Sequence, residues 1–184
     1  MIRLFFALRP PAAIRDLLLD LQDGVGDARW QDEEQLHLTL RFIGEVERGC
    51  AEDLADALGQ LRAPAPTCRL AGVGAFGGRG RPGALWAGAA PREPLGALHR
   101  KVDQICVSVG LAPERRAFTP HVTLARLPRG VAAGHPEVDR WLARNAAFAT
   151  EPFTVDRLVL YRSHLGRTGA SYEPVLEMPL DQSG

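Results

Sequence analysis

Apolar positions along this 184-residue chain recur with two spacings, which separate predicted strands from predicted helices. Short apolar runs predict strands at residues 2–8, 36–43, 68–76, 84–88, 121–127, 153–162 and 171–180, and residues 28–30 can add a short one. Apolar residues three or four positions apart predict four helices, one between Pro11 and Gly24 and the others at residues 47–62, 94–109 and 136–146. Loops rich in glycine and polar residues are expected at residues 77–83 and 163–169.

Two of the predicted strands begin with almost the same four residues, His37-Leu38-Thr39-Leu40 and His121-Val122-Thr123-Leu124. Alternate side chains of a strand face opposite ways, so each histidine shares a face with the threonine two positions later. The other face of each strand is apolar. Two such strands side by side would place two imidazoles and two hydroxyls in one cleft.

The predicted elements also form a weak internal repeat. Each half of the chain has a helix before and after its motif strand, and duplication would explain why the motif occurs twice. Strands alternate with helices, but the runs favour hairpins over a doubly wound parallel sheet. The sequence therefore predicts an α+β fold with outer helices. We expect one domain over residues 1–184, built from two pseudo-symmetric lobes with mixed or antiparallel sheets around a central cleft.

Paired histidines suit the cleavage of a phosphodiester. The reaction requires a base to deprotonate the attacking oxygen and an acid to protonate the departing one, and a histidine with an ordinary pKa of about 6.5 can do either. Threonine hydroxyls on the same face can donate hydrogen bonds to the non-bridging oxygens. A lone histidine on a strand is more often structural, but the doubled motif favours a catalytic interpretation. The chain has no obvious carboxylate cluster of the two-metal type, so we expect no metal and no cofactor.

The composition limits the other possibilities. The net charge is zero, so no global field attracts nucleic acid, and any RNA contact depends on a local cluster. Cys50, Cys68 and Cys106 are odd in number and lack metal-ligand spacing, which fits a reducing cytosol. The apolar start of the chain is too short for a membrane span or a secretory signal. We therefore expect a cytoplasmic protein without membrane contact.

The motifs and their surroundings resemble a known family. The segments 37–45 and 118–126 are similar to the paired signatures of the two-histidine (2H) phosphoesterases, and most closely to the RNA 2′,3′-cyclic phosphodiesterases, also called 2′-5′ RNA ligases. Further similarity spans nearly the whole chain. The resemblance implies metal-independent hydrolysis of 2′,3′-cyclic phosphate ends of RNA to 2′-phosphates, and it leaves open a reversible ligase activity.

The resemblance also implies roles for individual residues. His37 would be the general acid on the leaving 3′ oxygen, His121 the base that activates water, and Thr39 and Thr123 the residues that hold the phosphate. Arg126 corresponds to a family arginine near the phosphate. Strict alternation from His121 would turn Arg126 to the far face, so this assignment requires a bulge or a strand end.

Three further residues are candidates for substrate binding. Arg41 follows His37 by four positions and shares its face by alternation, where it can contact substrate or remain a surface charge. Phe42 can stack on a base, although core packing is the stronger expectation. Tyr172 can stack on a nucleobase or fill the core. The remaining histidines, at positions 99, 135 and 164, are interpreted as structural or surface residues.

Two competing functions remain open at this point. The cleft could serve a non-catalytic RNA-end or nucleotide-binding module, or it could belong to a metallohydrolase that uses His37, His121 and a further ligand. The substrate itself could be a tRNA fragment, an oligonucleotide or a small cyclic nucleotide. Because both motif strands come from one chain, we expect a monomer.

Overall fold

The computed structural model describes residues 1–78, 81–166 and 169–181, which form a nine-stranded sheet and four α-helices. The strands are β1 (Ile2–Leu8), β2 (Arg29–Trp30), β3 (Leu38–Val46), β4 (Thr67–Gly78), β5 (Arg81–Ala90), β6 (His121–Leu127), β7 (Phe153–Thr154), β8 (Arg157–Gly166) and β9 (Gly169–Pro179). The helices are α1 (Ala12–Leu19), α2 (Arg48–Gly59), α3 (Arg92–Ser108) and α4 (Pro136–Asn145), and a 3-10 helix covers Glu33–Gln35. None of the helices in these ranges has the length and apolar character to cross a membrane.

The sheet has two halves that meet at the motif strands. Its order is β7-β4-β5-β6-β3-β1-β8-β9, with β2 added beside β6, and every pairing between these strands is antiparallel. A single residue pair, Leu38 opposite Val122, joins β3 to β6 in the middle. The predicted α+β class with antiparallel strands and outer helices is confirmed.

The helices cover one face of the sheet and leave much of the other face open. Alternate residues of β1 show this division, because Leu4, Phe6 and Leu8 are buried in the main core beneath the helices. Phe5 and Ala7 point the other way and pack with Val159, Tyr161 and Tyr172. Burying each large apolar side chain contributes about 1.5–3 kcal/mol, so the helix-covered face supplies most of the stability. The opposite face is available for a site.

Each motif strand contains a bulge at the fourth residue of its motif. The register between β1 and β3 passes over Leu40, and the register between β5 and β6 passes over Leu124. A bulge inserts one extra residue, so the alternation of faces shifts by one position beyond it. Leu40 and the next residue, Arg41, are therefore both buried, and so are Leu124 and Ala125.

Several predicted boundaries differ from the observed ones. The expected strand at 153–162 is two strands, because β7 pairs with β4 at one edge of the sheet and β8 pairs with β1 in the other half. The expected loops at 77–83 and 163–169 are mostly strand, since the β4–β5 and β8–β9 hairpins extend into them. Residues 79–80 and 167–168 of these loops lie outside the described residues.

Candidate active site

The junction of β3 and β6 brings the two motifs together. His37 directly precedes β3, and His121 is the first residue of β6. Leu38 lies opposite Val122, so one step along this antiparallel ladder His37 lies opposite Thr123 and Thr39 opposite His121. Residues that face each other across a ladder share a face of the sheet. The two histidines and the two threonines therefore lie on the face opposite the helices.

A cleft of about 910 Å³ opens on this face. Five of the eight candidate residues line it, namely His37, Thr39, Phe42, Arg126 and Tyr172. His121 and Thr123 are not among the lining residues, but the ring of His121 lies 5.0 Å from that of Phe76, which lines the cleft. Arg41 does not line the cleft and is discussed separately below. The two imidazoles thus lie at or beside one cleft, and the exposed side chain of Arg126 lines the same cleft.

Aromatic rings surround His37. Its ring centroid lies 4.9 Å from that of Phe5 and 5.0 Å from that of Tyr172, which meets it edge-on at 89°. Tyr161 is 6.1 Å away. These rings belong to β1, β8 and β9, so the half of the sheet that carries β3 also determines the orientation of its histidine. An imidazole packed in this way has few accessible rotamers.

A backbone carbonyl and a flat indole fix His121. Its Nδ1 lies 2.6 Å from the carbonyl oxygen of Thr119. Because a carbonyl can only accept, Nδ1 carries the proton and Nε2 is left as the functional nitrogen. The ring of Trp86 lies 6.0 Å from the imidazole and directly over Gly74 on β4, where an added Cβ would come within 2.1 Å of the indole. Glycine at position 74 therefore allows the Trp86 indole to lie against the β4 backbone, next to His121.

Burial and positive charge both lower the pKa values of His37 and His121. Loss of hydration lowers the pKa of His37 to about 4, with further contributions from the charges of Arg126 and His121, against a hydrogen bond to the Gln35 backbone. Burial and the Arg126 charge also lower the pKa of His121, against its bond to Thr119. Both imidazoles respond to Arg126, so all three groups lie within electrostatic range of one another.

These shifts predict an acidic optimum for kcat/KM. Acid–base catalysis requires one histidine protonated and the other neutral, and the two forms in which the pair shares a single proton are most populated between the two pKa values, both of which lie below 6.5 in the free protein. A phosphodiester substrate carries one negative charge throughout this pH range, so the substrate itself does not add a titration to the profile. We expect a bell-shaped profile of kcat/KM with its maximum below pH 6.5. Arg126→Gln should move the maximum to higher pH, and a maximum that stays in place or moves down would contradict the electrostatic interpretation.

Arg126 lies in the cleft because of the bulge at Leu124. Alternation from His121 would turn it toward the helices, but the extra residue shifts the strand so that Arg126 is exposed and lines the cleft. The bulge that this assignment requires is therefore present. Phe42 occupies the equivalent position after the first motif, five residues from His37, and it also lines the cleft. Its side chain is 40% exposed, so the expectation of core packing for Phe42 is wrong.

The expectation that Arg41 shares the face of His37 is wrong for the same reason. The bulge at Leu40 turns Arg41 to the helix-covered face, where it is 9% exposed. Its Nη1 lies 3.0 Å from a carboxylate oxygen of Glu114, its Nε lies 3.3 Å from Asp103, and its Nη2 donates to the Ala112 carbonyl at 2.6 Å. Arg41 therefore ties the first motif strand to the segment before the second motif.

Helix α3 contacts the bulge at Leu40 from the helix-covered face of the sheet. The Nδ1 of His99 lies 2.8 Å from the carbonyl oxygen of Leu40, the bulged residue. The ring of His99 also stacks on Phe118 at 4.3 Å, three residues before His121. This agrees with the structural interpretation of His99. One side chain thus contacts both motif segments on the side away from the cleft.

Some cleft residues were not predicted from the sequence. Arg3, Arg29, Trp30, Gln35 and Phe76 line the cleft alongside the candidates. Alternation along β1 could have identified Arg3, which shares the face of Phe5 and lies 4.9 Å above the ring of Phe42. Arg29 had no comparable signal, because β2 has only two residues and its pairing with β6 is not encoded locally. Within residues 1–78, 81–166 and 169–181, no group of three His, Cys, Asp or Glu residues could hold a metal ion.

Comparisons with known proteins agree with these features. The family model of the 2′-5′ RNA ligase superfamily matches residues 8–167. An RNA 2′,3′-cyclic phosphodiesterase of Geobacillus stearothermophilus is 37% identical over 153 residues, which cover 82% of this chain and 47% of that protein, so this chain spans about half its length. The enzyme of the same name from Aeropyrum pernix is 33% identical over 154 residues, covering 83% of this chain and 86% of the relative.

Solved structures show the same fold. Escherichia coli LigT complexed with 3′-AMP is 28% identical with a TM-score of 0.74, and the match covers 98% of this chain and 99% of LigT. The protein TT0787 of Thermus thermophilus is 25% identical with a TM-score of 0.76, covering 96% of this chain and 97% of TT0787. With the family model and these relatives, the predicted resemblance to the two-histidine phosphoesterases is confirmed, and the chain belongs to the 2′-5′ RNA ligase superfamily.

Proposed function

We propose that this chain is an RNA 2′,3′-cyclic phosphodiesterase that opens the cyclic phosphate to a 2′-phosphate by acid–base catalysis at His37 and His121. The observation that carries the proposal is the pairing of Leu38 with Val122, which sets two motif histidines on one open face of the sheet. The prediction of an enzyme of this class from the doubled motif agrees with the names of the curated relatives. Neither histidine needs a metal for this chemistry.

The proposed reaction is a single displacement at phosphorus. Nε2 of His121 takes a proton from water as the oxygen attacks phosphorus, and protonated His37 gives its proton to the 3′ oxygen as the P–O3′ bond breaks. The phosphate remains on the 2′ oxygen. A bound anion raises the pKa of a nearby imidazole, so substrate favours the protonated form that the acid requires.

The phosphate oxygens need donors while charge builds on them. Thr39 and Thr123 share the face of the histidines and are assigned as hydrogen-bond donors to the non-bridging oxygens. Arg126, exposed in the cleft, is assigned to the phosphate charge. Phe42 and Tyr172 both line the cleft and are assigned to the nucleoside, where either ring can stack on a base.

The same groups can perform a ligation. If the 5′-hydroxyl of an RNA replaces water, His121 deprotonates that hydroxyl, the 3′ oxygen leaves as before, and a 2′-5′ phosphodiester forms. We therefore include reversible 2′-5′ ligase activity in the proposal. The alternative of a non-catalytic RNA-end or nucleotide-binding module would use the same cleft.

The organisation of the chain is also part of the proposal. We propose one domain of two pseudo-symmetric lobes around the cleft, and the bulges at Leu40 and Leu124, at the same motif position, support it. A monomer suffices, because one chain supplies both histidines. The partner is an RNA end or a small cyclic nucleotide, and the proposed location is the cytoplasm.

A direct assay tests the proposal. The protein is incubated with adenosine 2′,3′-cyclic phosphate and with a short RNA ending in a 2′,3′-cyclic phosphate, in excess EDTA, and products are separated from 2′- and 3′-phosphate standards. We expect ring opening to the 2′-phosphate at a rate that EDTA does not change. Activity that EDTA abolishes and zinc restores would favour a metallohydrolase. Tight binding of both ligands without turnover would favour the non-catalytic module.

A further inference from the structure

Two arginines lie directly opposite each other at one end of the cleft. The register between β2 and β6 pairs Arg29 with Arg126, and both side chains are exposed and line the cleft. Opposed residues of an antiparallel pair have Cβ atoms about 4.5–5.5 Å apart, and like charges at that spacing destabilise the pairing. Within the described residues neither arginine has an ion-pair partner. An unfavourable pair in a cleft indicates a site for an anion.

One acidic side chain lines the described part of the cleft, and it is hydrogen-bonded to a partner other than the two arginines. Asp32 is the one carboxylate among the described residues that line the cleft. Its Oδ1 accepts the backbone N–H of Gln35 at 3.1 Å and caps the 3-10 helix. The side-chain Oε1 of Gln35 accepts a hydrogen bond from the Asp32 backbone N–H in return, so Asp32 and Gln35 form a closed local pair. The two guanidinium groups keep their charge for a ligand.

The two arginines have different neighbours in the cleft. The charge of Arg126 lowers the pKa of both catalytic histidines, so Arg126 is near the reacting phosphate. Arg29 is on β2, one strand further out, and its Nη1 lies 3.9 Å from where a Cβ of Gly169 would be. Gly169 begins β9 in the other half of the sheet and lines the opposite wall. The guanidinium of Arg29 therefore reaches from β2 to the start of β9.

We propose that Arg29 binds a second phosphate, the one on the 5′ oxygen of the nucleotide whose cyclic phosphate lies between His37 and His121, while Arg126 contacts the cyclic phosphate itself. This inference rests on the proposed function and extends it. The second phosphate is an internucleotide diester in an RNA chain or a monoester in a 5′-phosphorylated nucleotide, and a guanidinium fork suits either. The preferred ligand is thus a nucleotide that carries both a 2′,3′-cyclic phosphate and a phosphate on its 5′ oxygen.

Three substrates test this site. They are adenosine 2′,3′-cyclic phosphate, its 5′-phosphorylated form, and the dinucleotide ApA ending in the same cyclic phosphate. We expect either 5′ phosphate to raise kcat/KM about 10-fold at low salt, the effect of one added charge-assisted contact. In Arg29→Ala the ratio should fall to about 1, and Arg29→Lys should keep part of it. The matched control Arg140→Ala, on exposed α4 surface outside the cleft, should keep the full ratio.

The possible results separate this site from the proposed function. Turnover of the unphosphorylated substrate with a ratio near 1 in the wild type, or a ratio that survives Arg29→Ala, overturns the second site and leaves the proposed function intact. A gain with ApA alone assigns the contact to the extra nucleoside and also overturns it. Dissociation constants of adenosine 2′-phosphate and adenosine 2′,5′-bisphosphate give the same comparison without turnover.

Thermal stability supplies an independent readout. Relief of the like-charge opposition should leave the Tm of Arg29→Gln equal to or above that of the wild type at low salt, and the difference should vanish at high salt. A Tm clearly below the wild type would assign Arg29 a structural role and overturn the inference. Adenosine 2′,5′-bisphosphate should raise the Tm of the wild type more than that of Arg29→Gln.

Discussion

Replacing His37 or His121 by alanine is expected to lower kcat/KM for a 2′,3′-cyclic phosphate roughly 10²–10⁴-fold, the usual contribution of a positioned acid or base. In the proposed mechanism each imidazole performs one proton transfer, and His37 is the one histidine among the described residues that line the cleft. The double variant should lose little more than the worse single variant, because acid and base act as a unit. Initial rates in EDTA with the same cyclic phosphate give both comparisons.

The pH profiles of the two variants distinguish the roles. Loss of the base should remove the decline of kcat/KM on the acidic side, and loss of the acid should remove the decline on the alkaline side. We expect the first result for His121→Ala and the second for His37→Ala. His164→Ala is a matched control, since His164 contacts Glu173 at 2.8 Å and lies outside the cleft lining. Near wild-type rates in both catalytic variants would refute the two-histidine mechanism.

Arg41→Ala is expected to reduce the free energy of unfolding by about 3 kcal/mol, the scale of removing one partner from a buried ion pair. The variant leaves Asp103 and Glu114, which are 21% and 17% exposed, without their arginine. It also removes the donor to the Ala112 carbonyl. For a domain of this size such a loss corresponds to a Tm about 6–12 °C lower. Urea unfolding followed by circular dichroism would measure it.

Two controls make the Arg41 result specific. Arg48→Ala removes an exposed helical pair with Glu52 and should cost only a few tenths of a kcal/mol. Adding Asp103→Asn to Arg41→Ala should restore part of the stability, because it removes an unpaired charge. Below its transition the Arg41 variant should keep kcat/KM within about 10-fold of the wild type. If the variant is stable but kcat/KM falls by much more than this, Arg41 has a role in substrate binding and the structural assignment is wrong.

The sequence predicted the site up to the fourth residue of each motif. Period-two alternation correctly gives one face to His37 and Thr39, and the doubled motif identifies the partner strand. Beyond Leu40 and Leu124 the alternation fails, because each of these residues is bulged. A bulge depends on the partner strand and on groups such as His99, which belong to distant segments. Alternation therefore predicts the wrong face for Arg41, and it predicts the right face for Arg126 only when the bulge at Leu124 is included.

Other parts of the cleft depend on pairings between distant strands. Arg29 enters the cleft only through the short ladder between β2 and β6. Phe76 and Trp86 reach His121 because β4 and β5 form a long hairpin in which Gly74 leaves room for the indole. Local composition predicted a hairpin with a long loop here, and the observed ladder is longer. Elements with strong local periodicity were predicted well, and contacts that cross the sheet were not.

The junction between β3 and β6 has a mechanical consequence. One residue pair, Leu38 with Val122, forms the ladder between the halves of the sheet, so the backbone pairing is shorter here than at β1–β3 or β5–β6. His37 and His121, the proposed acid and base, lie on opposite sides of this junction, so a small shear between the halves would change the distance between them. A phosphate bound by residues of both β3 and β6 would connect the two halves of the sheet across this junction. Bound substrate would thereby make the β3–β6 junction more rigid and hold the two imidazoles at a fixed separation during proton transfer.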